Sequence, residues 1–320
     1  MPTSKAHQRT ESLPPEPMAR AADLGIVIVN YNVSHLLSRC LNSILDGDPG
    51  DYRIEVVVVD NNSSDDSVVS VERNFPGVRL IANRENAGYP AANNQGMRAL
   101  GIESDVPPRY VLLLNPDTEL PPDGLAKAIA YMDKNPEVGV MGAKLLLPDG
   151  TLDLACRRAF PSPEVSLYRF LGLSRLFPDS PRFGRYNMTF LDENEEAEVD
   201  AVVGAFMMLR GEAIQEVGLL DERFWMYGED LDWAKRIKDA GWKVMYYPAI
   251  EVLHIKRASS RQNIRRARHE FYRAMPIFYY KHFREDTGLL LHLAIMGGIG
   301  LMGGPRLWGD LLSGSDILEK

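Results

Sequence analysis

The chain has 320 residues, 45% of them hydrophobic and 25% charged, which suffices for one large α/β domain or two small ones with a substantial core. A formal net charge of −8 excludes the basic excess on which general nucleic-acid binding depends. The two cysteines, Cys40 and Cys156, lie far apart, so their spacing offers neither a disulfide framework nor a CxxC metal site, and a reducing cytoplasm is the simplest compartment.

Residues 1–23 hold Pro14, Pro15 and Pro17 among polar residues and no apolar run. They read as a disordered leader rather than a signal peptide or an anchor. Residues 24–29 are a short apolar, β-branched run that predicts a buried strand, followed by Asn30-Tyr31-Asn32 and a helical pattern from Ser34, a natural N-cap, to Leu45. A second strand over 54–59 runs into the polar cluster from Asp60 to Asp65, and a helix follows through Val71. A third, over 78–81, leads into Asn83-Arg84-Glu85-Asn86-Ala87-Gly88 and a helix over 91–100. The fourth begins at Tyr110 and delivers Asn115-Pro116-Asp117 behind its last leucine, and a carboxylate on a rigid strand end suits a hard cation. This alternation predicts an α/β, Rossmann-like, mostly parallel central sheet with helices on both faces. Ligands of such sheets bind beyond the carboxyl ends of the strands, so Asn30, Asp60, Asn83 and Asp117 should share one edge.

Further along, a helix is expected over 124–134, a strand over 138–144 and a turn at Pro148-Asp149-Gly150. Residues 160–198 show no period and read as a long loop or lid. A strand-like run over 199–209, a helix over 212–217, an amphipathic helix opened by Phe224-Trp225-Met226-Tyr227-Gly228-Glu229-Asp230, and short strands over 243–247 and 250–253 complete a catalytic domain expected to span 24–255. The remainder, 256–320, reads as a helical C-terminal extension. It starts with Lys256, Arg257, Arg261, Arg265, Arg266, Arg268 and Arg273 among aromatics, then becomes strongly apolar over 288–304. That stretch is shorter than the roughly 20 residues a spanning helix needs and contains His292. It suits either an anchor on a bilayer surface, beside the pyrophosphate of a lipid-linked acceptor, or a packed helical hairpin. The GxGxxG at Gly298 to Gly303 has no room for a following βαβ unit and is a coincidence.

Val29-Asn30-Tyr31-Asn32, the 59–65 cluster, Asn83-x-x-Asn86-x-Gly88, Asn115-Pro116-Asp117, Phe224-x-x-Tyr227-x-Glu229-Asp230-x-Asp232 and His254 occur in the order found in family 2 glycosyltransferases. Over residues 26–254 the chain resembles a bacterial rhamnosyltransferase of that family. The resemblance implies a GT-A fold, an inverting transfer from a nucleotide-sugar donor, and a requirement for Mg2+ or Mn2+. A divalent ion suits this chemistry because the nucleoside diphosphate departs with developing negative charge. By the same resemblance, Asp117 and His254 are metal ligands and Asp230 is the base that deprotonates the acceptor, with Glu229 orienting the acceptor or tuning its neighbour. Taken alone, a His after an apolar strand is ordinarily structural, and an acidic first turn ordinarily serves the helix dipole.

The nucleotide-sugar should lie over Asn30, Asp60, Asn62, Asn83, Asn86 and Gly88, with Asn115 and Asp117 at its diphosphate. Asn115 stands where the family motif usually has its first aspartate, and Pro90 interrupts a stretch that is glycine-rich in relatives. The expected donor is dTDP-rhamnose, and the expected acceptor a growing glycan or polyprenyl-linked sugar. Two rival classes are a nucleotidyltransferase, which should carry a glycine-rich basic loop where Asn30-Tyr31-Asn32 stands, and a non-catalytic nucleotide-sugar binder, which has no need of Asp117, Asp230 and His254 together.

Overall fold

The computed structural model describes residues 21–256, 263–312 and 317, so residues 1–20 of the leader expected over 1–23, and the basic residues Arg257 and Arg261, lie outside the described residues. Four strands form the first half of the sheet: β1 (Leu24–Asn30), β2 (Ile54–Asp60), β3 (Arg79–Ala82) and β4 (Tyr110–Leu114). β1 is buried along its whole length, as a parallel strand covered on both faces must be. It pairs in parallel with β2, Asn30 opposite Asp60, and with β4, Leu24 opposite Tyr110, while β3 lies outside β2. Helices α1 (Ser34–Leu45), α2 (Ser67–Asn74) and α3 (Tyr89–Ala99) make the first crossovers. Ser34 is not the cap of α1: Val33 holds that position, and the Ser34 backbone N–H is satisfied by Asp65 Oδ2 at 2.9 Å, a partner 31 residues away. α3 starts earlier than its apolar pattern, because Pro90 sits in the first turn where its missing N–H costs nothing.

The second half comprises β5 (Thr118–Glu119), α4 (Gly124–Lys134), β6 (Val138–Leu146), α5 (Pro163–Phe170), α6 (Leu173–Leu176), β7 (Ala197–Glu198), β8 (Phe206–Arg210), α7 (Gly211–Val217), α8 (Glu229–Asp239) and β9 (Lys243–His254). The strand order is β3-β2-β1-β4-β8-β6-β9-β5, with β7 paired to β9. β8 enters between β4 and β6 antiparallel to both, and β5 pairs antiparallel with β9, so the sheet is mixed in its second half. Three expectations change here. The run 199–209 becomes a strand only from Phe206, and Ala201 instead pairs with Arg158. The stretch 160–198 contains α5 and α6 rather than irregular chain throughout. The two strands expected over 243–253 are one, whose partner on β6 advances from Ala143↔Tyr247 to Lys144↔Glu251, leaving Pro248, Ala249 and Ile250 in a bulge that accommodates the proline.

Among the described residues, three helices follow β9: α9 (Ile264–His282), α10 (Leu289–Gly303) and α11 (Pro305–Leu312). Ile277 and Phe278 of α9 join the same buried cluster as the sheet residues. Asp232 of α8, fully buried, accepts from Arg236 at 2.9 Å, Lys281 at 2.8 Å and His282 at 2.7 Å, which ties the end of α9 to α8. α10 buries Ile299 and Gly300 but exposes Leu289, Leu290, Leu291, Leu293 and Leu301.

Candidate active site

The polar residues after β1, β2 and β3 form one connected floor. Asn30 Nδ2 donates to Asp60 Oδ1 at 2.8 Å and Ser63 Oγ at 3.1 Å, and Asp60 Oδ2 accepts from the Ser63 N–H at 2.8 Å. Asn30 Oδ1 is buried without a protein partner. Asn61, a residue not singled out in the sequence, is the hub. Its Oδ1 accepts from Asn83 Nδ2 at 3.1 Å, and its Nδ2 donates to Asn86 Oδ1 and the Gly88 carbonyl, both at 3.1 Å. Asn62 is exposed at the loop tip with a left-handed φ of 69°. Gly88, at φ 92°, lies so close to the next loop that a Cβ would come 2.6 Å from the Trp225 carbonyl, which accepts from the Tyr89 N–H at 2.8 Å.

At the other end of the edge, pairing of β5 with β9 sets Thr118 opposite His254, and the Ile255 N–H bonds to the Asp117 carbonyl at 2.9 Å. That register places His254 Nε2 3.5 Å from Asp117 Oδ1, both side chains buried. A third group arrives from the hairpin after β6: Asp153 Oδ2 lies 2.9 Å from His254 Nδ1, while its Oδ1 bonds to Lys256 Nζ at 2.5 Å and the Ala155 N–H at 3.0 Å. Burial depresses the His254 pKa, but the two flanking carboxylates, Asp117 first, outweigh it and raise it to about 9. Burial likewise opposes ionisation of Asp153, and the bonds from His254 and Lys256 overcome it, leaving that carboxyl well below the usual range.

One carboxylate oxygen and one imidazole nitrogen facing each other form a donor set that fits Mg2+ or Mn2+. Among the described residues no cluster of three or more such protein ligands exists. Asn115 takes a different role from a metal-motif aspartate: its Oδ1 accepts from the Tyr89 hydroxyl at 3.2 Å.

The adjacent carboxylates open α8 after Gly228, which is left-handed at φ 83°. Both are buried, yet their surroundings differ. Asp230 Oδ2 is bound by Arg158 Nη2 at 2.6 Å and the Gly204 N–H at 3.3 Å, and Oδ1 by the Leu231 N–H at 2.8 Å. Glu229 Oε2 has no protein partner, and burial, reinforced by the Asp230 charge, pushes its carboxyl well above the ordinary range. The Tyr89 hydroxyl, shared with the Gly204 carbonyl at 3.0 Å, links Asn115 to the backbone that holds Asp230. Both cysteine thiols are buried, which pushes Cys40 up to about 12 and Cys156 up to about 11 and keeps them out of any chemistry at neutral pH. The sequence reading missed Asn61, Tyr89, Asp153 and Arg158. Only Asn61 carried a local signal, as a member of the polar cluster after β2.

Known proteins resemble this chain at two levels, sequence and fold. The "N-acetylglucosaminyl-diphospho-decaprenol L-rhamnosyltransferase" of Mycobacterium tuberculosis is 29% identical over 242 residues, which cover 74% of this chain and 77% of that one. "Rhamnosyltransferase WbbL" of Escherichia coli K12 is 24% identical over 235 residues, covering 72% and 82%. Among solved structures, the mannosyltransferase PcManGT from Pyrobaculum calidifontis, in complex with GDP-Man and Mn2+, superposes with a TM-score of 0.56 at 17% identity over 93% of this chain and 77% of its own. GalNAc-T7 with UDP, GalNAc and Mn2+ does so with a TM-score of 0.55 at 15% identity, over 93% of this chain and 59% of its own. The fold is therefore GT-A. The model of "Glycosyl transferase family 2" matches residues 25–218, more than half of the chain, and the protein belongs to that family.

Proposed function

We propose that this glycosyltransferase uses a divalent metal and inverts the anomeric carbon as it moves a rhamnose-class sugar, from dTDP-rhamnose, to a hydroxyl of a polyprenyl-linked or growing glycan. The observation that carries this reading is the placement of two chemically distinct pairs at one sheet edge: Asp117 with His254, and Glu229 with Asp230, linked through Asn115, Tyr89 and Gly204. The nucleotide lies over the floor formed by Asn30, Asp60, Asn61, Asn83 and Asn86, with Asn62 at its rim and Gly88 closing it against Trp225. Asn30 Oδ1, buried and unpartnered, is available to a donor N–H or hydroxyl.

Asp117 and His254 would hold Mg2+ or Mn2+, which supplies neutralisation of the charge on the diphosphate. As the bond from the sugar to the phosphate breaks, the acceptor oxygen bonds to the opposite face of the anomeric carbon, and its proton passes to Asp230. Glu229, with a free buried oxygen and a carboxyl that favours the protonated form, donates a hydrogen bond that orients a sugar hydroxyl. The names of the M. tuberculosis and E. coli relatives support the sugar, and the former supports the lipid-linked acceptor. No helix among the described residues is long and apolar enough to cross a membrane, while exposed leucines of α10 suit contact with a bilayer surface.

Incubation with a panel of nucleotide sugars and acceptors, with Mn2+, Mg2+ or chelator, tests the reading. The expected products are a nucleoside diphosphate and an inverted glycoside, with dTDP-rhamnose preferred and chelator abolishing turnover. Pyrophosphate release would reassign the protein as a nucleotidyltransferase, and binding without turnover would leave it a binding protein.

A further inference from the structure

Two arginines leave the hairpin after β6 in sequence, and they go to different places. Arg157 donates to the carbonyls of Leu191 and Asp192 at 2.7 and 2.6 Å and lies over the Tyr246 ring, which fixes the loop beyond α6. Arg158 turns to the catalytic helix. Its backbone is locked by a two-way pairing with Ala201, with N–H to carbonyl distances of 2.8 and 2.9 Å. From there its guanidinium, in a residue only 9% exposed, spans the Val202 carbonyl at 2.8 Å and Asp230 Oδ2 at 2.6 Å.

A carboxylate can rotate about its Cβ–Cγ bond, and an aspartate at the start of a helix has several local donors to choose among. Here that freedom is removed at Oδ2, which Arg158 and the Gly204 N–H hold from one side. What remains for a ligand is the Oδ1 edge, whose protein partner is the N–H of Leu231 in its own helix. The arginine also serves one carboxylate of the adjacent pair and leaves Oε2 of the other without a protein partner. Two carboxylates adjacent in sequence are thereby made unequal by a residue 72 positions away.

We propose that Arg158 is the positioning residue of the transfer step: it clamps Asp230 by Oδ2 so that Oδ1 meets the acceptor hydroxyl, and by pairing with Asp230 alone it leaves Glu229 free to bind a ligand hydroxyl. This rests on the assignment of Asp230 as base. Arg158 contributes nothing to donor binding in this scheme: its hydrogen bond to a carboxylate goes to Asp230, and at Glu229 it acts only through its charge.

The test is a double-mutant cycle on the full chain with Asp230→Asn, Arg158→Gln and their combination, reading kcat, donor KM and nucleoside diphosphate affinity, with thermal melting as a control for folding. Asp230→Asn should lower kcat by about a hundredfold or more. Arg158→Gln should lower kcat by at least about tenfold, the scale of a misplaced group, with donor KM and nucleotide affinity unchanged. Added to Asp230→Asn, it should change kcat by less than about twofold, since there is no base left to position. Arg158→Lys keeps the buried charge with a single donor head and should fall between wild type and Arg158→Gln, which keeps the proposal testable if the glutamine variant does not fold. A loss in donor KM instead of kcat, equal effects in both backgrounds, or wild-type kcat in Arg158→Lys and Arg158→Gln would overturn it. Normal transfer by Asp230→Asn would instead overturn the assignment of the base.

Discussion

Asp153 never faces Asp117, yet it sets where His254 points. By accepting at Nδ1 it leaves Nε2 turned toward Asp117, the arrangement in which a carboxylate behind an imidazole fixes ring orientation and raises ligand basicity. Asp153→Asn should therefore weaken Mn2+ affinity by about tenfold to a hundredfold, read by paramagnetic resonance titration with nucleoside diphosphate present. Unchanged affinity would remove Asp153 from the metal site. At Gly88 the argument is steric, because φ is 92° and a Cβ would enter the Trp225 carbonyl. Gly88→Ala should cost about 1–3 kcal/mol, read from urea denaturation, and a variant as stable as wild type would show that the Trp225 loop yields freely. Of the residues in the site, Asp117, Glu229 and Asp230 were visible because each follows an apolar or aromatic run in a position that resembles the family pattern. Asp153 and Arg158 lie between the turn at 148–150 and residue 160, outside every expected element, and their significance arises from partners 101 and 72 positions away. No local pattern encodes such distances.

Among the elements, α8 is held by α9 through carboxylates rather than by apolar contact alone. Asp232 accepts from three basic side chains, and Asp221 from Arg223 and Lys281. Burial opposes ionisation at both, but their hydrogen-bonding partners prevail and hold the two carboxyls below their ordinary values. Because the folded-state pKa is depressed, the stabilisation is complete above the unfolded value near 4 and fades as pH falls below it. Asp232→Asn should cost about 3–5 kcal/mol at pH 7 by leaving buried cations uncompensated, and the deficit should shrink in urea titrations below pH 4. An equal deficit at both pH values would separate the effect from ionisation. The sequence foretold most elements of the first half, where each crossover repeats one pattern. It foretold β9 poorly, because the bulge at Pro248 splits its apolar period into two pieces, and it did not find α5 and α6, whose short apolar faces are largely exposed.

For the molecule as a whole, a net charge of −8 should keep it off anionic surfaces, and the C-terminal helices run against that balance. α9 begins with Arg265, Arg266 and Arg268, and α10 presents Leu290 at 85% and Leu301 at 80% exposure. Binding to anionic vesicles at low salt is expected, and high salt should weaken it by screening the basic part. Paired Leu290→Glu and Leu301→Glu substitutions, both on the exposed side, should reduce vesicle binding while leaving transfer to a soluble acceptor intact. Full-length protein that fails to bind such vesicles at low salt would make α10 a packing element only.

The position of β8 also fixes an order of events. The proposed nucleotide floor is contained within residues 30–88, after strands that pair in parallel with near neighbours, whereas β8 enters the middle of the sheet only after more than a hundred further residues. Asp117 waits for β9 to bring His254, and Arg158 and Gly204 wait for Asp230 at the start of α8. A nascent or partly unfolded chain is therefore expected to complete its short-range floor before its long-range chemistry. Loosening the centre of the sheet should then silence transfer while leaving nucleotide binding, which a binding titration in mild urea beside an activity assay would check.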